Sequence, residues 1–201
     1  MPNKPVFEWD GGHPALNFVN TLDERLSGSP VDRLVDYSAL VSFSQQAKLI
    51  GRNIASLLVH QTGGAVGIRV LSDAIMFREA AYRTLVATSS RLRASTTDIH
   101  TINATLSVAL SHRRLTISAA GANRAWDDMT HIERPLWEVA CCFEDLLTNS
   151  PFNRVRKCHA RDCGVVFIDL SKAGRRRWCS MANCGNRAKM RQFRARLAHM
   201  P

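Results

Sequence analysis

Four cysteines near the end of the chain constrain its fold more than any other feature: Cys158-x4-Cys163, fifteen residues, then Cys179-x4-Cys184. Two close pairs of thiolates let two tight turns converge on one tetrahedral Zn2+ ion. All four positions are cysteine, so no coordination position is left for a bound water, and a structural rather than catalytic zinc is expected. The alternatives are disulfides or buried free thiols. The chain has no apolar run approaching the roughly 18 to 20 residues that span a bilayer, and its start, "MPNKPVFEWD", carries no apolar signal segment. A cytoplasmic protein without membrane contact is therefore expected, and in that reducing compartment paired cysteines favour metal over disulfide.

Between the pairs, "VVFIDL" has strand composition, "SKAG" reads as a turn, and "RRRWC" is expected to return as a second strand. After Cys184 the run "GNRAKMRQFRARLAHM" is expected to be a helix, with Met190, Phe193 and Leu197 on one stripe that docks on the hairpin. Knuckle, hairpin, ligand and helix in that order resemble a treble-clef zinc fold. A module of about 50 residues with few large apolar side chains is near the limit of what a core alone stabilises. Structural zinc adds on the order of 10 kcal/mol.

Charge is segregated along the chain. Residues 1–150 carry 14 Lys and Arg against 15 Asp and Glu, a net −1, whereas residues 151–201 carry 13 against 2, a net +11. That density is the electrostatic footprint of a surface that meets phosphates. A zinc held by four thiolates has a formal charge of −2, which two or three cations neutralise, so compensation cannot use them all. Arg175 and Arg177 are placed on one strand face and Arg176 on the other. Arg187, Arg191 and Arg194 fall within about 60° on a helical wheel, with Lys189 on the same helix. These seven are the candidate nucleic-acid contacts, since guanidinium forks match phosphates and guanine edges. Trp178 is expected to pack over the zinc site, Gly185 to let its N–H approach a sulfur, and Asn186 to bond backbone near the helix start.

The first 150 residues read as mainly helical. Helical spacing runs from Asp36 to about His60, broken at Gly51, then over Val70 to Ser89, from about Thr97, and from about His131 to Thr148. "RRLTISAAGANRAWDD" reads as a short strand or hairpin. The loop "QTGGAVG" lacks the Lys-Ser/Thr ending of a phosphate-binding loop, and the histidines are scattered singly, so no enzyme is expected. Cys141 and Cys142 lie on the apolar side of the last helix and are read as core. Pro151 and Asn153 end that helix, which places the boundary between a helical domain, 1–150, and a basic module, 151–201.

"RRRWCSMANCGNRAKMRQFRAR", with Phe167 and Asp169 after the first cysteine pair, resembles the signature of the CGNR zinc-finger family. "GGHPALNFVNT" together with "FREAAYRTL" resembles the helical ABATE domain that precedes this finger. The resemblance implies zinc on Cys158, Cys163, Cys179 and Cys184 and a stress-induced transcription regulator. RNA binding has also been suggested for the finger. The usual family spelling has Asp where this chain has Asn17. Asn17, Asn20, Thr21 and Arg78 are the polar candidates for a small-molecule effector in the helical domain, which can also serve as a homodimer platform. The expected function is regulation through DNA, in preference to RNA, contacted by the finger. The alternative is a zinc-stabilised protein-interaction module that binds no nucleic acid.

Overall fold

The computed structural model describes residues 6–60 and 64–197. The first three residues of "QTGGAVG" lie outside that range.

The chain opens with α1 (Pro14–Val19), where Pro14 pre-sets the first helical dihedral and the His13 imidazole accepts from the Ala15 N–H at 3.3 Å. Two short strands, β1 (Leu22–Asp23) and β2 (Val31–Asp32), pair antiparallel. The Asp36 carboxylate caps α2 (Tyr37–Gln46) by accepting from the Ala39 N–H at 2.7 Å. Gly51 separates α2 from α3 (Arg52–His60), as its lack of a side chain predicts. The longest helix, α4 (Ala65–Ser89), begins earlier than its apolar periodicity indicated and takes in part of the glycine-rich stretch. It buries Val70, Ala74, Phe77, Ala81 and Leu85, a stripe spaced by three and four residues.

α5 (Thr96–Ser111) follows, pinned to α4 where Arg83 donates from Nε and Nη2 to the buried Asp98 carboxylate at 3.0 and 2.5 Å. The expected hairpin is present as β3 (Arg113–Ser118) and β4 (Gly121–Trp126). Finally α6 (Arg134–Asn149) turns Leu136, Val139, Ala140, Phe143 and Leu146 inward. The core is built around aromatic rings meeting edge to face: Phe18 with Phe43 at 5.4 Å between centroids, and Phe77 with Phe143 at 5.7 Å.

After α6 a single 3-10 turn leads into β5 (Val155–Lys157), which pairs antiparallel with β6 (Val166–Ile168). Two expectations are corrected here. The partner of the "VVFIDL" strand is Val155–Lys157 and not "RRRWC", which runs as irregular chain. The first cysteine pair therefore sits in the connection of the hairpin, and only the second lies beyond it. The closing helix, α7 (Asn186–Leu197), is present, but among the described residues its apolar stripe is not buried against the hairpin: Met190, Phe193 and Leu197 are 51%, 57% and 53% exposed.

The boundary near residue 151 marks a change of composition but not a break in packing. Val155, Val166 and Ile168 belong to the same buried cluster as Phe18, Phe43 and Phe77. The Asn20 side chain donates to the Val166 carbonyl at 2.8 Å and accepts from the Val166 N–H at 2.9 Å, while the Ile168 N–H donates to the Gly11 carbonyl at 2.9 Å. Gly12, at φ +76°, lies so close beneath Ile168 that a Cβ there would stand 2.9 Å from its Cγ2.

Candidate metal centre

Each cysteine pair is held by its own turn. In the first, the Cys158 N–H donates to the Val165 carbonyl at 2.8 Å and the Cys163 N–H to the Ala160 carbonyl at 3.3 Å, which closes a knuckle between β5 and β6. In the second, a wide turn over Met181–Gly185 starts at Ser180, whose hydroxyl accepts from the Asn183 N–H at 3.3 Å and whose carbonyl accepts from the Gly185 N–H at 3.0 Å. Gly185 therefore serves the turn and not a sulfur. A Cβ at this position would lie 2.8 Å from Met181 Sδ and 3.2 Å from the Trp178 ring. Asn186 donates to the Ala182 carbonyl at 3.1 Å, the expected backbone bond at the helix start. The His159 N–H, donating to the Arg177 carbonyl at 3.0 Å, ties the two turns together.

The result brings four sulfurs to one point. All four lie within 4.8 Å of one another, with Cys163 to Cys179 at 3.6 Å and Cys179 to Cys184 at 3.7 Å. Thiolates about 2.3 Å from a tetrahedral zinc are separated by about 3.8 Å, whereas a disulfide needs about 2.05 Å. The spacing is that of ligands around an ion. All four cysteines are buried, with exposures of 2% to 6%.

Without a cation four clustered thiols cannot all ionise. Hydrogen bonding from Cys163 first, then Cys179, pulls Cys158 down, while donating to Cys158 pushes both Cys163 and Cys179 up. Zn2+ removes that conflict by binding all four as thiolates. Cys158, Cys163, Cys179 and Cys184 would hold the ion, which cross-links the two turns and leaves no position for substrate.

The surrounding residues show which candidate cations are engaged. Arg176 donates to the Cys179 carbonyl, and its guanidinium lies 4.7 Å over the Phe167 ring. Its backbone N–H donates at 2.7 Å to Asp169, a fully buried carboxylate that also accepts from the Ser171 N–H and hydroxyl. The Ser171 hydroxyl above all holds the Asp169 carboxyl below its usual range. Arg187 donates to Cys184 Sγ at 3.4 Å and pairs with Asp162 at 3.5 Å, which Arg191 also approaches at 3.7 Å. Arg176 and Arg187 are thus parts of the centre. Arg175, Arg177, Lys189 and Arg194 are exposed, Arg177 with its guanidinium 5.4 Å over the Trp178 ring. Trp178 is half-buried and packs against the cysteine cluster, as expected. Asp162 was not singled out in the sequence, although it is one of only two acids in the basic module and lies inside the first pair.

Beside the centre opens a cleft of about 670 Å3. Arg187, Arg191 and Arg194 of α7 line it together with Cys163, Cys179 and Cys184, and Glu8, Asp10, Asp23 and Glu24 of the helical domain line it as well. Burial first, then Asp23 and Asp10, raise the Glu8 carboxyl above its usual range.

The four polar candidates of the helical domain are engaged within the protein. Asn17 Oδ1 accepts from the Gly11 N–H at 2.9 Å, and Asn20 clamps Val166. Thr21 donates to the Phe18 carbonyl at 2.7 Å and accepts from Arg78 at 3.2 Å. Arg78, 2% exposed, makes a two-pronged contact with Asp32 at 2.7 and 2.8 Å and pairs with Glu79 at 2.9 Å. Asn17, Asn20, Thr21 and Arg78 thus hold the chain together around α1, β2, α4 and β6.

Residues 154–197 match the model of the CGNR zinc finger, and residues 12–150 match that of the ABATE family, described as "Putative stress-induced transcription regulator". No curated protein matches the chain at a significant level. With its helical part matched over more than half of the chain and its four-sulfur centre inside the matched finger, the chain belongs to the ABATE family and carries a CGNR zinc finger.

Proposed function

We propose that the protein regulates transcription by binding duplex DNA through the exposed basic surface of its zinc finger. It acts in the cytoplasm, where thiols remain available to the metal, and it acts by binding rather than catalysis. One observation carries this reading: α7 buries no side chain, yet presents Arg187, Lys189, Arg191, Arg194 and Arg196, with Arg175 and Arg177 exposed in the preceding segment. A helix that contributes nothing to the core and carries five cations is suited to phosphate oxygens. The closed thiolate site supports a structural role for the metal, which holds that helix on a fixed base.

The test is a fluorescence anisotropy titration against duplex DNA, single-stranded DNA and RNA at two ionic strengths. If about six phosphates of duplex are engaged, the log-log slope with salt is near −5. Lys189→Glu with Arg196→Glu should weaken binding at least about tenfold and leave zinc content unchanged, since both side chains are exposed and neither lines the cleft beside the centre. Unchanged affinity in that variant refutes the assignment, and tighter binding to single strands or RNA refutes the choice of duplex. The exposed stripe of Met190, Phe193 and Leu197 favours a second reading, a protein partner laid on α7. Absence of salt-sensitive binding to any nucleic acid would decide for it.

A further inference from the structure

The β3–β4 hairpin stands away from the core. Most of its residues are exposed, and its firmest attachment is Trp126, whose ring lies 5.5 Å from the buried Trp137 of α6. Leu115 and Ile117 are 67% and 78% exposed. A two-stranded ribbon with both edges solvated is marginal by itself, and apolar side chains on it mark a contact surface. The register pairs Arg113 with Trp126, Leu115 with Arg124 and Ile117 with Ala122, which puts these six residues on one face.

Next to that face runs a groove of about 690 Å3 between the hairpin and α6. Its hairpin wall carries Leu115 and Arg124, and its α6 wall carries Cys141, Glu144 and Asp145. One wall is therefore basic and the other acidic, with apolar surface between them. Arg124 and Glu144 make no ion pair among the described residues. Arg113 Nε is buried in the same wall without an acceptor.

We propose that this groove is the interface with a second copy of the chain. A two-fold axis sets the patch against itself, so that each contact occurs twice. A surface with opposite charges on its two walls is complementary to its own rotated image. Arg124 of each copy then meets Glu144 of the other, and Leu115 and Ile117 are covered. The assembly carries two zinc fingers.

Light scattering coupled to size exclusion, on the full zinc-loaded chain over a range of micromolar concentrations and without nucleic acid, reads the proposal directly. The expected mass is twice the 22.4 kDa of one chain. Ile117→Asp, at a position 78% exposed, should return the monomer with an unchanged circular dichroism spectrum. Arg124→Glu and Glu144→Arg should each raise the dimer dissociation constant roughly tenfold, and the two together should restore it. A monomer at every concentration, a dimer indifferent to Ile117→Asp, or a charge exchange that fails to restore association overturns the proposal. None of these results depends on whether the finger binds DNA.

Discussion

Replacing Asn20 tests whether the finger and the helical domain are one folding unit. The Asn20 side chain supplies both partners of the Val166 backbone, at 2.8 and 2.9 Å, in a place where Val166 is fully buried. Asn20→Ala leaves one N–H and one carbonyl without a partner. An unsatisfied buried polar group costs about 1–3 kcal/mol, so the expected loss is about 2–6 kcal/mol. At about 2–4 °C per kcal/mol for a chain of this size, even the lower figure moves the midpoint by about 4–8 °C. Val166 belongs to β6, one strand of the hairpin whose connection holds Cys158 and Cys163, so zinc should also leave faster. The assay is urea unfolding of the zinc-loaded protein, with zinc transfer to a colorimetric chelator followed in parallel. A loss below about 0.5 kcal/mol with unchanged zinc transfer would refute the reasoning, because such a loss is typical of a surface substitution.

Chelation of zinc should melt the finger and also lower the unfolding midpoint of the helical domain, because Val155, Val166 and Ile168 sit in the common core; near-ultraviolet dichroism on the buried aromatics follows it, and an unmoved midpoint contradicts the shared core. Gly12→Ala should destabilise by at least about 1 kcal/mol, since φ is +76° and the new Cβ meets Ile168 Cγ2 at 2.9 Å; thermal unfolding checks it. Asp32 and Glu79 give the pH dependence. Burial raises both carboxyls, but the hydrogen bonds from Arg78 to Asp32 and from Arg25 to Glu79 outweigh it, and both end below their ordinary values. Their stabilising contribution is complete above the unfolded carboxylate range near pH 4 and disappears as pH falls through the depressed folded values; urea midpoints in Asp32→Asn should lose part of that acid dependence.

The metal centre was legible because ligand spacing is a local property, and so were the helices, whose apolar stripes repeat within a few residues. What escaped depends on partners distant along the chain. "VRK" at Val155–Lys157 has no strand signature, yet it pairs with β6 because Val155 enters the core beside Phe18 and Phe43. "RRRWC" has the better strand composition and forms none, since Arg176 is drawn to the Cys179 carbonyl and its N–H to Asp169. Arg78 and Asn20 stand out only through the family resemblance, as polar candidates for a ligand. Their partners, Asp32 and Val166, lie 46 and 146 residues away, and no local pattern connects them.

The distribution of the finger's cations separates two tasks that the sequence shows only as one block of charge. Arg154 donates to the Asp169 and Ser171 carbonyls, Arg156 to the Asn153 and Val155 carbonyls, Arg176 to the Cys179 carbonyl and Arg187 to Cys184 Sγ. These four are engaged within the finger, Arg176 and Arg187 at the ligand residues themselves. A centre of charge −2 and the two acids of the module are balanced by about as many cations as these. Lys172, Arg175, Arg177, Lys189, Arg191, Arg194 and Arg196 are all exposed, and of them, among the described residues, only Arg191 leans on an acid, Asp162. The surplus is thus a property of the surface and not of the metal site, so Arg187 substitutions are expected to bear on zinc retention and, under the proposed function, Lys189 and Arg196 substitutions on nucleic-acid binding. The acidic residues Glu8, Asp10, Asp23 and Glu24 line the same cleft as Arg187, Arg191 and Arg194, so phosphates approaching that face of α7 meet repulsion that Lys189 and Arg196, absent from the cleft lining, do not share.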